Sequence, residues 1–298
     1  MQFKKLTLED KDLFCKYIYP YQFLSCEYSF ATLYIWKDAC DIQYAIYKDA
    51  LIIKKKDFKG NLCFMQPLGY TSENLKAILK ELTEYKKENG MKYLFKDLNE
   101  KFLEEVKILL SKEKNICIEE DKDNFDYLYK TQDLIKLSGK KLHGKKNHYN
   151  SFIKTYEYKI EEIKDKKVIE EVIGAAKKWY AKNNENSKML FYEMEAIKNM
   201  MPKLSMLNLE GVAVYVNGEV AAFSIGEKVN DKMAVIHIEK GDTDCSGIYS
   251  FINKAFIEKC FKDTEVVNRE QDLGIEGLRK SKMSYYPFKL EKKFAVIF

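Results

Sequence analysis

Two rounds of one alternation run along the chain. From Asp10 to Lys37 apolar residues recur at helical spacing, with Phe23, Tyr28, Phe30, Tyr34 and Trp36 crowded into one segment. Strand-like runs follow at 43–49 and 50–56, separated by a turn at 48–50, and another lies at 61–69. Helical spacing returns at 72–90 and 99–111 with a short strand at 91–98 between them, and a strand-like stretch at 115–120 closes the round. After a basic stretch at 138–150, the pattern predicts helices over 166–183 and 193–204. Three strands then follow at 211–216, 219–229 and 232–240, joined by Asn217-Gly218 and Asn230-Asp231 turns. A helix over 248–261, a strand over 264–271, a helix over 274–286 and a terminal strand region at 288–298 complete the second round.

Each half therefore reads helix, β-meander, helix, strand, helix, strand, which predicts an α+β chain that arose by duplication. The junction is expected between Asn124 and Lys136, giving domains 1–130 and 131–298. This order is similar to the acyl-CoA N-acyltransferase (GNAT) plan, in which the strand before the third helix splays from its neighbour and leaves a slot for an acyl donor. The resemblance implies two tandem GNAT-like domains, each a mixed, largely antiparallel sheet flanked by helices, with the active site in the second.

Composition narrows the picture. Hydrophobic residues make up 46% of the chain and charged ones 33%, while Gly and Pro are scarce, so the whole length is expected to fold. No run approaches the roughly 18 apolar residues that cross a bilayer, and a cytoplasmic protein is expected. Seven cysteines form an odd set with no C-x-x-C pair and read as reduced, mostly buried thiols. Three histidines without cysteines at tetrahedral spacing give no metal site. All but two of the 51 basic residues are lysine, and the two arginines, Arg269 and Arg279, fall in one 21-residue stretch, 267–287. Arginine offers a planar fork for carboxylate or phosphate that lysine cannot reproduce, so this stretch is a candidate site.

Four groups of residues carry candidate chemistry. On the strand at 232–240, period two places Val235, His237 and Glu239 on one face and Ala234, Ile236 and Ile238 on the other. An attacking amine must lose a proton, which suits His237 and Glu239 as base and orienter, with Glu227 on the next strand as a third. Lys240, Ser246 and Gly247 line a polar loop that enters a helix N-terminus, where backbone N–H groups can hold a donor's phosphates. The usual GNAT loop reads Q/R-x-x-G-x-G/A; here Asp244 and Tyr249 stand at its first and last positions. If 266–272 is extended, Asn268, Glu270 and Asp272 share one face and Arg269 the other. Arg269 then pairs with Asp272 or Glu270, while Arg279 and Lys282 form an anion hook for a phosphate or the donor's 3′ end. Last, Lys141, Lys145 and His148 align on one side of a predicted basic helix, opposite an apolar stripe of Leu142, Tyr149, Phe152, Ile153 and Tyr156. That basic side suits tRNA or another polyanion.

The segments at 24–36, 137–152, 237–242, 247–256 and above all 268–287 (NREQDLGIEGLRKSKMSYYP) resemble the phosphatidylglycerol lysyltransferase C-terminal domain family, whose members are tandem GNAT-like domains related to Fem aminoacyltransferases. The resemblance implies transfer of an acyl or aminoacyl group, from acyl-CoA or aminoacyl-tRNA, to an amine or hydroxyl, without a metal. The reading from another class is a non-catalytic GNAT-like module that holds RNA or another polyanion.

Overall fold

A computed structural model describes residues 1–110, 116–182 and 188–297. The outermost positions of four predicted elements, 111, 115, 183 and 298, lie outside the described residues. Two compact units emerge: residues 1–125 with 291–298, and residues 126–290.

The first unit contains β1 (Lys4–Lys5), α1 (Lys11–Ile18), α2 (Phe30–Ile35), β2 (Gln43–Tyr47), β3 (Ala50–Lys56), β4 (Leu62–Phe64), α3 (Ser72–Glu88), β5 (Tyr93–Leu98), α4 (Glu100–Leu109) and β6 (Cys117–Glu120). The aromatic helix expected at 10–37 is broken, because Pro20 sits in a short 3-10 turn and Gln22 takes φ 48°. Along α3, Leu75, Ile78, Leu79 and Leu82 fall at i, i+3, i+4, i+7 and are all buried, packing with Phe102 and Val106 of α4 against Ile52, Phe64 and Phe95 of the sheet.

The second unit contains β7 (Asp126–Lys130), α5 (Thr131–Lys136), α6 (Gly139–Thr155), β8 (Tyr158–Glu162), α7 (Lys166–Lys182), α8 (Lys188–Met200), β9 (Glu210–Val216), β10 (Glu219–Lys228), β11 (Met233–Gly241), α9 (Ile248–Cys260), β12 (Val266–Asn268), α10 (Glu276–Met283) and β13 (Lys289–Glu291). Its sheet has the order β13-β7-β12-β11-β10-β9-β8; from β7 to β8 neighbours run antiparallel except for β11 beside β12. Phe152 of α6 and Phe251, Ile252, Phe256 and Ile257 of α9 cover Val212, Val214, Ala222, Ala234 and Ile236. On the other face Trp179 of α7 stacks on Phe223 at 6.0 Å.

The terminal strand region divides. Residues 289–291 stay in the second sheet, whereas β14 (Phe294–Ile297) returns to the first, between β5 and β6 in the order β1-β2-β3-β4-β5-β14-β6. Phe294 and Val296 thereby join the first unit's core. The strand expected over 264–271 shortens to β12, because Glu270 turns to φ 56° and Leu273 to φ 55°. Ile153, expected in the apolar stripe of α6, is 38% exposed. Only Cys26, Cys40 and Cys63 of the seven thiols are buried; Cys15 and Cys117 are exposed.

Candidate functional site

The site begins where two parallel strands part. β11 and β12 pair at Met233 with Val266, Ala234 with Val267 and Val235 with Asn268, and there the pairing ends. β11 continues to Gly241 while the other chain turns away, so His237 and Glu239 face Arg269 and Glu270 across the opening.

A β-bulge decides which side chains enter it. Ile225 pairs with Ile238 and Gly226 with Ile236, leaving His237 as the extra residue. Gly226 is required here: a Cβ would overlap the Val235 carbonyl oxygen and press on Phe256. The bulge also breaks the alternation, so His237 and Glu239 do not share a face as period two predicts. Glu239 lies on the α9 side, bonded to Asn253, and His237 turns to Glu227 and Glu270.

His237 is buried, its Nε2 donating to Glu227 Oε1 at 3.1 Å and its Nδ1 to Glu270 Oε1 at 2.9 Å. Burial alone pulls an imidazole pKa down, but the hydrogen bonds and charges of the two carboxylates outweigh it and push this one up to about 9. At neutral pH His237 is therefore an imidazolium with both N–H groups engaged. Protonated, it offers no lone pair to an acceptor.

Glu239 is held from two sides: Oε1 accepts from Arg269 Nη2 at 2.9 Å and Oε2 from Asn253 Nδ2 at 2.8 Å. Arg269 does not pair with Asp272 or Glu270, because the chain leaves extended geometry after Asn268 and the predicted faces dissolve. Its guanidinium packs against the rings of Tyr285 and Tyr129, 4.6 and 5.8 Å from their centres. Among the described residues, the buried Arg269 Nη1 and Asn253 Oδ1 find no hydrogen-bond partner. Lys145 of α6 is half-buried, its ammonium 4.2 Å from the centre of the Tyr285 ring, and burial with the Arg269 charge lowers its pKa. Two cations and one carboxylate thus meet around Tyr285.

The expected anion hook is engaged elsewhere. Arg279 grips buried Asp272 with Nε at 2.8 Å and Nη2 at 2.9 Å, and Tyr127 also donates to that carboxylate. Burial raises the Asp272 pKa, but these bonds outweigh it and hold it low. Lys282 donates to the carbonyls of Arg269 and Gln271, fixing the loop. Asn268 braces the same turn: its Nδ2 donates to Asp126 at 2.9 Å and its Oδ1 accepts the Glu270 N–H at 2.6 Å.

At the start of α9, Gly247 caps the helix at φ 84° without a side-chain cap bond. A Cβ there would overlap the His148 carbonyl oxygen of α6, and the Ser246 N–H donates to the Tyr156 hydroxyl at 3.2 Å. This glycine serves close helix packing. Lys240 is bound to Glu193 at 3.0 Å and lies over Tyr180, beside a cavity of about 120 Å³ lined by Trp179, Tyr180, Leu190, Thr243 and Tyr249 at the end of β11. Lys141 and the side chain of His148 are exposed. Asn253, Tyr129 and Tyr285 were missed from sequence; the available signal was Asn253, a polar residue within the apolar face of a helix.

The chain matches the family described as phosphatidylglycerol lysyltransferase, C-terminal, over residues 20–297. It belongs to that family. A solved conserved protein of unknown function from Bacteroides thetaiotaomicron VPI-5482 is similar at 30% identity, with 100% of this chain and 99% of that one covered and a TM-score of 0.91. The C-terminal domain of a protein described as a putative lysylphosphatidylglycerol synthetase, from Agrobacterium fabrum, shares the fold at 14% identity, covering 87% and 84% of the two chains with a TM-score of 0.62. A tandem GNAT protein from the clavulanic acid biosynthesis pathway also shares it, at 6% identity, 99% and 97% coverage and a TM-score of 0.54. A curated relative, an uncharacterized protein of Mycoplasmoides gallisepticum, is 28% identical over 182 residues, and the chain spans 57% of its length. Within the phosphatidylglycerol lysyltransferase C-terminal family, this member has the tandem GNAT-like fold.

Proposed function

We propose that the second unit transfers an acyl or aminoacyl group, from acyl-CoA or an aminoacyl-tRNA, to an amine or hydroxyl acceptor in the cytoplasm. The observation that carries the reading is the parting of β11 and β12 over buried ionic groups, one of which keeps an unpartnered donor. The acceptor nitrogen or oxygen attacks the donor carbonyl, its proton passes to Glu239, and the carbon–sulfur or carbon–oxygen bond to the donor breaks as that proton reaches the leaving group. Arg269, through Nη1, and Lys145 supply positive charge against the developing oxyanion. His237 and Asn268 act as positioning residues that hold Glu270 and the loop bearing Arg269. The first unit serves as scaffold.

Arg269→Ala and Glu239→Gln are each expected to lower kcat/KM by about a hundredfold or more, as loss of a transition-state charge contact does. Undiminished turnover by folded variants, in a screen of CoA and aminoacyl-tRNA donors, removes the assignment. A second reading, a non-catalytic module for RNA or another polyanion, draws on the obstructed start of α9 and the lysines of α6. Calorimetry separates the two, since salt-sensitive RNA binding without saturable donor affinity favours the module.

A further inference from the structure

Asn253 is fully buried in α9, a helix whose Ile252, Phe256 and Ile257 belong to the apolar core. Leucine has nearly the same volume, so packing alone does not call for an amide there. Half of that amide is accounted for: Nδ2 donates to Glu239 Oε2 at 2.8 Å. The bond also fixes the orientation, because a carboxylate only accepts and an amide turned over would set oxygen against oxygen. The carbonyl oxygen Oδ1 is thereby held in place, buried and, among the described residues, without a hydrogen-bond partner. Buried amide oxygens are nearly always bonded, so a group that supplies the hydrogen is expected from outside the chain.

We propose that this group is the second N–H of an attacking primary amine, which makes the acceptor an amine and Asn253 the residue that selects it. The inference rests on the transfer reading and narrows it. A neutral primary amine carries two hydrogens and a lone pair: one hydrogen points to Glu239, the other to Asn253 Oδ1, and the lone pair attacks the donor carbonyl. A carbon–nitrogen bond forms, Glu239 takes one proton and returns it to the departing sulfur or oxygen, and the other hydrogen stays on the amide product. An alcohol has a single hydrogen. Once that hydrogen is directed at Glu239, the alcohol oxygen faces Oδ1 and the buried acceptor goes unmet, the kind of loss by which a site built for an N–H rejects an analogue lacking it. The surrounding charge points the same way. Arg269 lies 2.9 Å from Glu239, and Arg269 and Lys145 both lie against the Tyr285 ring. Burial, and then the Arg269 charge, lower the Lys145 pKa. The same surroundings favour an incoming amine in its unprotonated, nucleophilic form.

Matched acceptors test it, with the full chain, acetyl-CoA and a mixture of aminoacyl-tRNAs as donors, and benzylamine, n-butylamine and glycylglycine set against benzyl alcohol, n-butanol and glycolylglycine. Neutral hydroxylamine, which cleaves esters and spares amides, reports the linkage formed. The wild type is expected to form amides, with kcat/KM for each amine above that for its alcohol by about a hundredfold or more. Amines are the better nucleophiles in solution as well, so the variants carry the decision. Asn253→Leu removes Oδ1 and Nδ2 together and should narrow the amine preference by about tenfold or more. Asn253→Asp keeps an acceptor oxygen but loses the bond to Glu239; it should slow amines and alcohols alike and keep the preference. A role confined to packing or to holding Glu239 would instead lower both acceptor classes equally in both variants. Thermal melting checks folding, and the linkage made by the wild type tests the idea even where a variant does not fold. Esters formed as fast as amides, or a preference that Asn253→Leu leaves unchanged, overturn the amine assignment while the transfer reading stands; no transfer from any donor to either class of acceptor overturns both.

Discussion

The two units place a parallel strand pair at the same point of their topology and finish it differently. In the first, β4 and β5 touch in register only at Phe64 and Phe95. The charged groups beyond are paired, Lys55 to Asp97 at 2.6 Å, Lys96 to Asp57 at 3.1 Å and Asp121 at 3.0 Å, and Lys293 to Glu27, and among the described residues the buried atom left without a partner beside them is a neutral one, Gln66 Oε1. The helix between these strands, α3, starts in a reciprocal cap, with the Asn74 N–H donating to Thr71 Oγ1 at 3.3 Å and the Thr71 N–H to Asn74 Oδ1 at 2.8 Å. In the second unit the equivalent opening leaves Arg269 Nη1 and Asn253 Oδ1 without hydrogen-bond partners, Lys145 lies on an aromatic ring, and α9 starts without a side-chain cap bond. A closed ionic cluster stabilises; an open one has groups left for a substrate. That contrast is why the transfer chemistry is proposed for the second unit alone.

The largest test of the contrast lies in the first unit. Lys55→Met leaves Asp97 buried beside a hydrocarbon, and removing one partner of a buried pair costs about 3–5 kcal/mol, to be read from chemical denaturation. A small loss there would mean that the cluster is not the closed, structural one described.

The next tests the opposite cluster through pH. The folded pKa of His237, about 9, lies above its ordinary 6.5, so protonation favours the folded state. The stabilisation is complete below about pH 6.5 and is lost as pH rises through 9, by at most about 3 kcal/mol. Urea midpoints across that window should fall for the wild type and flatten for His237→Gln. A wild-type profile as flat as the variant's would place the imidazole outside the carboxylate clamp.

The smallest effect concerns the helix starts. Thr71→Ala removes the cap of α3 and should cost about 1 kcal/mol, whereas Ser246→Ala ahead of α9 should change stability by less than about 0.5 kcal/mol, because its side chain is exposed and makes no cap bond. Equal costs would erase the difference between the two helix starts.

Much of this architecture is legible in the residues. Asn217 and Gly218 take φ 53° and 81° in the tight turn their pair predicts, with Val216 opposite Glu219. The stripe of α3 and the meander of β9, β10 and β11 follow from period alone. Arg269, Glu239, His237 and Glu270 are candidates on neighbouring predicted elements, and the structure brings them close together; Lys145, expected on a separate basic helix for a polyanion, lies on the Tyr285 ring beside Arg269. Their partners were not legible. Arg269 was expected on Asp272 or Glu270 and holds Glu239; Arg279 was expected beside Lys282 on a ligand and holds Asp272. Both differences arise because alternation assumes an unbroken strand, and the chain contains a bulge at His237 and a left-handed turn at Glu270.

By itself the sequence determined the β9–β10–β11 meander, the helix–strand–helix order that follows it, the buried stripe of α3 and the concentration of guanidinium groups, since each depends on spacing along the chain and on side-chain chemistry, while β1, β7, α5 and β8 carried no signal that was read. Tertiary structure alone decided which carboxylate meets which cation, the turning of His237 away from Glu239, and the return of residues 294–297 to the first sheet. Those outcomes rest on hydrogen bonds between residues far apart in the chain, such as His237 with Glu270 and Glu239 with Arg269, and no local periodicity encodes them.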